Sequence, residues 1–297
     1  MSGESRHDDD SGDVVERSGR RCGKFAVADF KLTCNKISDV SCCQDGMPFF
    51  IYCFYRFLVG GYFFGFLIFF IVFSIQGVFG VKFLIYLTNW TYMLVTVYLC
   101  TASINVLLNF VLDHRGLDGS HDGFHRIRNQ LQWLLFNIAI TSSIIVTLVY
   151  WPILRPMIPE DMKPPLYLDM SIHLFTSIFC LLDLFITKVT IKFHHVIYPA
   201  LYLVVYGLFA IFYWVAGGTD PYGDPYIYPI IDFENAPGIA AATMIGIVVA
   251  VFLAHGLLKL LYYLRVRFVD RRVETSVEEE RARLNPQGQS NYHGEVI

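Results

Sequence analysis

Charge is what this sequence has least of. Only 16% of its 297 residues are charged, and most of those lie in residues 1–48 and 259–297. The stretch between is nearly devoid of Asp, Glu, Lys and Arg, in a chain that is 55% hydrophobic and 16% aromatic. A soluble domain with a charged shell is excluded by that distribution, and a membrane protein is expected. The net charge of −3 says little about partners, and no nucleic-acid partner is expected. Also missing ahead of the first apolar run is a short apolar core with a cleavage site. The opening "MSGESRHDDDSGDVVERSGRRCGK" is polar, so no removable signal peptide is expected and the first helix serves as insertion signal. No convincing repeat relates the two halves, which argues against an inverted-repeat transporter. Cysteines are absent from the loops expected outside: Cys22, Cys34, Cys42 and Cys43 precede the first span, Cys53 lies near the membrane, and Cys100 and Cys180 are within helices. A disulfide framework is therefore not expected. Cys42 and Cys43, beside the first span, are candidates for palmitoylation, weighed against two ordinary reduced thiols.

What is present is a set of apolar runs. A hydrocarbon core of about 30 Å needs roughly 20 helical residues at about 1.5 Å each. Six runs qualify, at about 57–75, 83–108, 131–154, 166–187, 196–215 and 237–258. Lys and Arg concentrate before the first run, at Arg115, Arg126 and Arg128, at Lys188 and Lys192, and after the sixth. Alternate loops hold only Lys82, Arg155 and Lys163. The positive-inside rule then places both termini in the cytoplasm. The expected fold is an all-α polytopic bundle of six transmembrane helices over 49–265, between a largely disordered cytoplasmic tail at 1–48 and another at 266–297. Basic residues after the sixth span could meet anionic head groups, although solvated stop-transfer charge is the simpler account. Gly61 and Gly65, and Ala242 and Gly246, have the small-xxx-small spacing of close helix packing.

Polar side chains in hydrocarbon are costly unless they face a partner or a cavity. In the second span Thr88, Thr91, Tyr98, Thr101, Asn105 and Asn109 fall on one helical face. In the fourth, His173, Thr176, Ser177, Cys180, Asp183 and Thr187 form another stripe. Interhelical hydrogen bonding accounts for most of these groups. Thr88 and His173 each lie a few residues inside helices entering from the same side, so they are expected in one layer. An imidazole accepting its proton is the usual way to activate a threonine hydroxyl. Asp183 is ten residues, about 15 Å, beyond His173. It is read as a structural intramembrane acid, expected to neutralise Lys188 or to meet His194 or His195, and any site as a Thr/His dyad. Asn89-Trp90-Thr91 matches a glycosylation sequon, but Asn89 lies too close to the bilayer for modification.

"YLTNW" at the entry to the second helix, "HLFTSIFCLLD", "FHHVIYP" and "YIYP" together resemble the rolling stone proteins. More distantly they resemble the androgen-induced and androgen-dependent multi-pass membrane hydrolases. The resemblance spans roughly 54–267 and implies a role in cell, specifically myoblast, fusion and development. The hydrolases cleave fatty acid esters of hydroxy fatty acids with an intramembrane Thr and His, matching Thr88 in "YLTNW" and His173 in "SIHLF". The resemblance thus implies a lipid ester hydrolase in which Thr88 attacks the ester with His173 as base, and Asn89 or Thr91 as oxyanion or orienting groups. The long "GGTDPYGDPYIYPIIDFENAP" loop and the tails depart from the hydrolase pattern.

Other classes compete. His114, His121, His125, His194 and His195, with His255, invite a metal-dependent lipid oxidase, but solvated loop histidines are the simpler reading, and no metal or cofactor is expected. A non-catalytic membrane scaffold or adhesion protein, with cytoplasmic partners on the tails, is the main alternative to a hydrolase. Transport rests on Asp183 alone. Membrane lipids are the expected partners, a lipid ester the expected substrate, and the plasma membrane or endoplasmic reticulum the expected location.

Overall fold

A computed structural model describes residues 32, 40–44, 47–115 and 123–284, with backbone alone from 269 onward. Residues 1–31, 33–39, 45–46, 116–122 and 285–297, which take in most of the expected tail at 1–48 and the end of that at 266–297, and with them Cys22, Cys34 and His121, lie outside the described residues. Those described form helices and no sheet. In chain order these are α1 (Phe49–Gln76), α2 (Leu87–His114), α3 (Gly123–Met157), α4 (Leu166–His173), α5 (Phe175–Ile186), α6 (Ile197–Val215) and α7 (Pro237–Leu284). Among the described residues five are long and apolar enough to cross a membrane by themselves, and α4 with α5, bent by 40°, brings the number to six if the pair counts as one span. The chain is an all-α, multi-pass membrane protein.

Three ends or breaks differ from the expected runs, each for a local reason. Helix α1 starts well before residue 57, because the charge of Arg56 is buried against an acid and does not end the span. Helix α3 starts at Gly123, since Arg128, Asn129 and Gln132 in its first turns are buried and bonded to neighbours. Near its other end, Pro152 has no N–H for the carbonyl four residues back and its ring crowds that carbonyl. The turn Tyr150–Leu154 widens to a π-helix there, which absorbs the misfit. The fourth span breaks at Leu174 (φ −123°, ψ −50°). The His173 carbonyl is left outside the regular ladder and takes a hydrogen bond from the Thr147 hydroxyl of α3.

Helix α6 ends in a Schellman motif. Gly217 at φ +75° lets its own N–H reach Trp214 O at 2.9 Å and that of Gly218 reach Tyr213 O at 2.8 Å. Helix α7 opens on Pro237, where a missing N–H is harmless, and runs without interruption through the expected boundary at 265 to Leu284.

Lipid tails are as apolar as leucine, so packing and interhelical hydrogen bonds of about 0.5–2 kcal/mol each hold such a bundle together. At the α1/α2 crossing a Cβ on Gly60 would lie 2.7 Å from Ser103 Oγ. That hydroxyl is already donated to the carbonyls of Arg56 (2.8 Å) and Leu99 (2.9 Å). Phe63, Tyr92, Tyr98, Trp133 and Phe136 fill the centre, with Phe63 stacked on Tyr92 at 5.4 Å.

At the end of the bundle carrying Arg128, Val40–Gln44 lies as a strap across the helices. Gln132 donates to Val40 O (3.0 Å), Ser41 Oγ to Asn129 Oδ1 (2.9 Å), and Asn109 to Ser41 Oγ (2.8 Å). Cys43 pairs with Thr187 in a single antiparallel bridge. This part of the segment assigned to the N-terminal tail is packed against the bundle. Cys42 and Cys43 lie half-buried on the strap and are not joined in a disulfide, the Cys43 thiol facing Met47 O at 3.8 Å. Arg265 of α7 closes the same end. Its guanidinium donates to Leu184 O, Thr187 O and Val189 O, carbonyls left over where α5 stops.

Candidate functional site

The "YLTNW" stretch is shaped by what precedes it. A 3₁₀ turn, Gly80–Ile85, leads into α2, and the end of such a turn leaves carbonyls without helical partners. Three consecutive ones are taken by side chains: Phe83 O by Asn89 Nδ2 (2.6 Å), Leu84 O by Trp90 Nε1 (2.6 Å) and Ile85 O by the Tyr206 hydroxyl (3.0 Å). Asn89 is buried and committed, which explains in physical terms why the sequon is unsuited to a glycan. Thr91 lies 3.2 Å from the Tyr202 hydroxyl. The two oxyanion candidates thus both have partners of their own.

Thr88 is left facing a cavity of about 330 Å³, within the roughly 300–1,000 Å³ usual for small-molecule sites. The cavity lies between the start of α2, the π-helical end of α3, α6 and α7, and its lining is apolar apart from Thr88, Tyr150, Tyr206 and Tyr228. Val204 and Leu208 of α6 and Ile245 and Val248 of α7 line it and are 46–67% exposed, so it opens sideways between two spans. In a membrane that mouth faces lipid. On its wall α6 and α7 meet, where the Met244 methyl fills the notch at Gly207. The Tyr228 hydroxyl, from the α6–α7 connection, is within hydrogen-bonding reach of Thr88. Burial raises that phenol above its ordinary value of 10.0, keeping it a neutral donor.

His173 is not among the lining residues. The Tyr150 ring, which is, stacks flat on the imidazole at 3.3 Å and 3°. Thr88 and Tyr150 thus line one cavity with His173 behind the Tyr150 ring, and no hydrogen bond joins Thr88 and His173 among the described residues. His173 Nδ1 lies 3.2 Å from the Asp169 carbonyl. A carbonyl can only accept, so the proton is on Nδ1 and the lone pair on Nε2. The Asp169 carboxylate takes the Tyr150 hydroxyl at 2.5 Å and Arg155 Nε at 3.1 Å.

Asp183 occupies a different place and has partners other than the expected Lys188, His194 or His195. Arg56 Nη1 and the Tyr98 hydroxyl reach its Oδ2 at 2.7 and 2.6 Å, and the Tyr55 hydroxyl its Oδ1 at 2.7 Å. The pair is completely buried, with exposures of 1% and 0%. A chain of bonds continues from Arg56 Nε to the Tyr52 hydroxyl and on to Ser41 O of the strap. Asp183 is held in a buried ion pair, and Arg56 of α1 supplies its counter-charge.

Several groups around the site escape a reading of the sequence. Asp169 lies in the fourth span four residues, about one turn, before His173, a spacing that does place both on one face. Tyr150, Arg155 and Tyr228 carry no such local signal. The histidines do not converge: among the described residues no three His, Cys, Asp or Glu side chains could hold a metal. His255 sits between Thr141 (3.1 Å) and Lys192 O (3.1 Å), His125 against Arg128 (2.7 Å), and His195 against the Trp133 ring.

Comparison with known proteins agrees with this architecture. Residues 22–279 match the family model described as Protein rolling stone. The chain is 29% identical over 191 residues to Protein rolling stone of Drosophila melanogaster, covering 63% of this chain and 69% of that one. No solved structure matches. The family match takes in every span and the whole cavity, so the chain belongs to the rolling stone family.

Proposed function

We propose that this rolling stone protein hydrolyses a lipid ester drawn from the membrane, in the service of cell fusion. The observation that carries the reading is the cavity: an apolar pocket with a mouth between two membrane spans and the Thr88 hydroxyl on its wall. An acyl chain enters between α6 and α7, on the outer-leaflet side in the orientation set by charge bias, and brings its ester to Thr88. The Tyr150 ring swings aside and exposes His173 Nε2, which accepts the Thr88 proton as Oγ attacks the carbonyl carbon. The Tyr228 hydroxyl donates to the developing oxyanion, a kind of contact worth about 2.7–4 kcal/mol. Collapse expels the alcohol, which takes the proton from His173. Water activated by the same imidazole then cleaves the acyl-threonine to a fatty acid and regenerates Thr88. The fusion context comes from the family resemblance.

Wild type, Thr88→Ala and His173→Ala, expressed at matched levels, are assayed in membranes for labelling by a hydrolase-directed probe and for cleavage of long-chain fatty esters. Wild type labels and cleaves, and each substitution abolishes both. Equal behaviour of all three ends the catalytic reading.

A binding-only scaffold is the second reading, favoured by the absence of a hydrogen bond between Thr88 and His173. A photoreactive acyl lipid would then label the α6 and α7 cavity residues in all three proteins without being cleaved in any.

A further inference from the structure

We infer that Asp169 is the acid that positions His173, resting on the hydrolytic reading of the cavity. A dyad of Thr88 and His173 lacks the group that orients an imidazole and steadies the charge it acquires. Asp183 cannot be that group, being held by Arg56, Tyr55 and Tyr98.

Asp169 meets the requirement in three ways. Its carboxylate is completely buried and its Oδ1 is 3.7 Å from His173 Nδ1, close enough to favour an imidazolium there. It bonds the hydroxyl of the ring that lies flat on His173, so the carboxylate stays beside the imidazole when that ring swings aside. Its own carbonyl faces Nδ1, which leaves Nε2 as the base. Two irregular backbone segments meet at this point, the π-helical turn that carries Tyr150 and the helix break directly after His173. Arg155 braces the far oxygen, and Thr147 and Ser177, which adjoin the His173 carbonyl, are uncharged. The titratable groups facing the imidazole are thus Asp169 and Tyr150, with Arg155 behind them. When Thr88 gives its proton to Nε2, Asp169 remains a carboxylate and the positive charge forms beside it.

The test uses the full chain in lipid nanodiscs with ¹⁵N-labelled histidine. Wild type, Asp169→Asn and Asp169→Glu are compared, and His173→Gln assigns the His173 signals. In wild type the neutral imidazole carries its proton on Nδ1. Asp169→Asn, which keeps the shape and one acceptor oxygen for the Tyr150 hydroxyl, moves the His173 titration midpoint to lower pH by about one unit, and Asp169→Glu restores at least part of it. Cleavage of a fluorogenic long-chain ester by Asp169→Asn falls about tenfold or more in kcat, with KM changed far less. An unchanged midpoint in a folded Asp169→Asn protein overturns the inference, even where kcat falls. Failure of wild type to cleave any ester overturns the hydrolytic reading alone, because the midpoint still decides whether Asp169 governs His173.

Discussion

Replacing Asp183 by asparagine keeps the size of the side chain but removes the carboxylate that faces Arg56. The Arg56–Asp183 contact is 2.7 Å, and a pair at that distance attracts by about 6 kcal/mol at an effective dielectric of about 20. Removing both charges from water offsets much of this, so the pair itself adds little. Stranding one partner is different, and leaves a guanidinium at 1% exposure with no counter-charge, at about 3–5 kcal/mol. The Tyr55 and Tyr98 hydroxyls keep a weaker amide acceptor, so Asp183→Asn belongs near the lower end. At about 2–4 °C per kcal/mol for a protein of this size, the midpoint falls by roughly 10 °C. The assay is reversible unfolding in mixed micelles, by SDS titration followed by tryptophan fluorescence and by thermal scans. The double change Arg56→Met with Asp183→Leu removes both charges and recovers most of the loss. An Asp183→Asn protein within about 0.5 kcal/mol of wild type would refute the buried-pair argument.

The remaining expectations concern smaller features. Gly60→Ala puts a methyl 2.7 Å from Ser103 Oγ and costs about 1–3 kcal/mol in the same titration, part of which Ser103→Ala returns. Arg265→Ala strips Leu184 O and Val189 O of their donor, leaves Thr187 O to Gln44 alone, and costs about 1.5–3 kcal/mol; lysine does not rescue it, since one ammonium cannot reproduce the fork. Asp232 accepts the backbone N–H groups of Asn235 and Glu234 ahead of α7, and the Asn235 bond leads in holding its carboxyl below the ordinary value of 3.8. The sign follows: that contribution to stability is present above pH 3.8 and is lost as pH falls through the lower folded value. Hydrogen exchange of the Glu234 and Asn235 amides, slow at neutral pH, should quicken only in that acid range, and should be fast at all pH values in Asp232→Ala.

The sequence by itself determined that the chain is a helical bundle in a membrane, because a hydrocarbon core admits only backbone that satisfies its own hydrogen bonds along runs of sufficient length. It also determined which polar residues share a face of α2 and of the bent fourth span, since the helical period is set locally. It placed Thr88 where a cavity turned out to be. It did not determine that Arg56, outside the first expected span, would neutralise Asp183 at a separation of 127 residues. Nor did it show that Tyr228 would reach Thr88, that Tyr150 on the same cavity would lie flat on His173, or that Asp169 would hold Tyr150. Those relations depend on how far each helix slides and rotates against its neighbours. That is decided by close contacts such as Gly60 with Ser103 and Gly207 with Met244, and by the π turn at Pro152 and the break after His173, each of which shifts the register of everything beyond it. Periodicity fixes a face within one helix; only the packed bundle decides what that face meets.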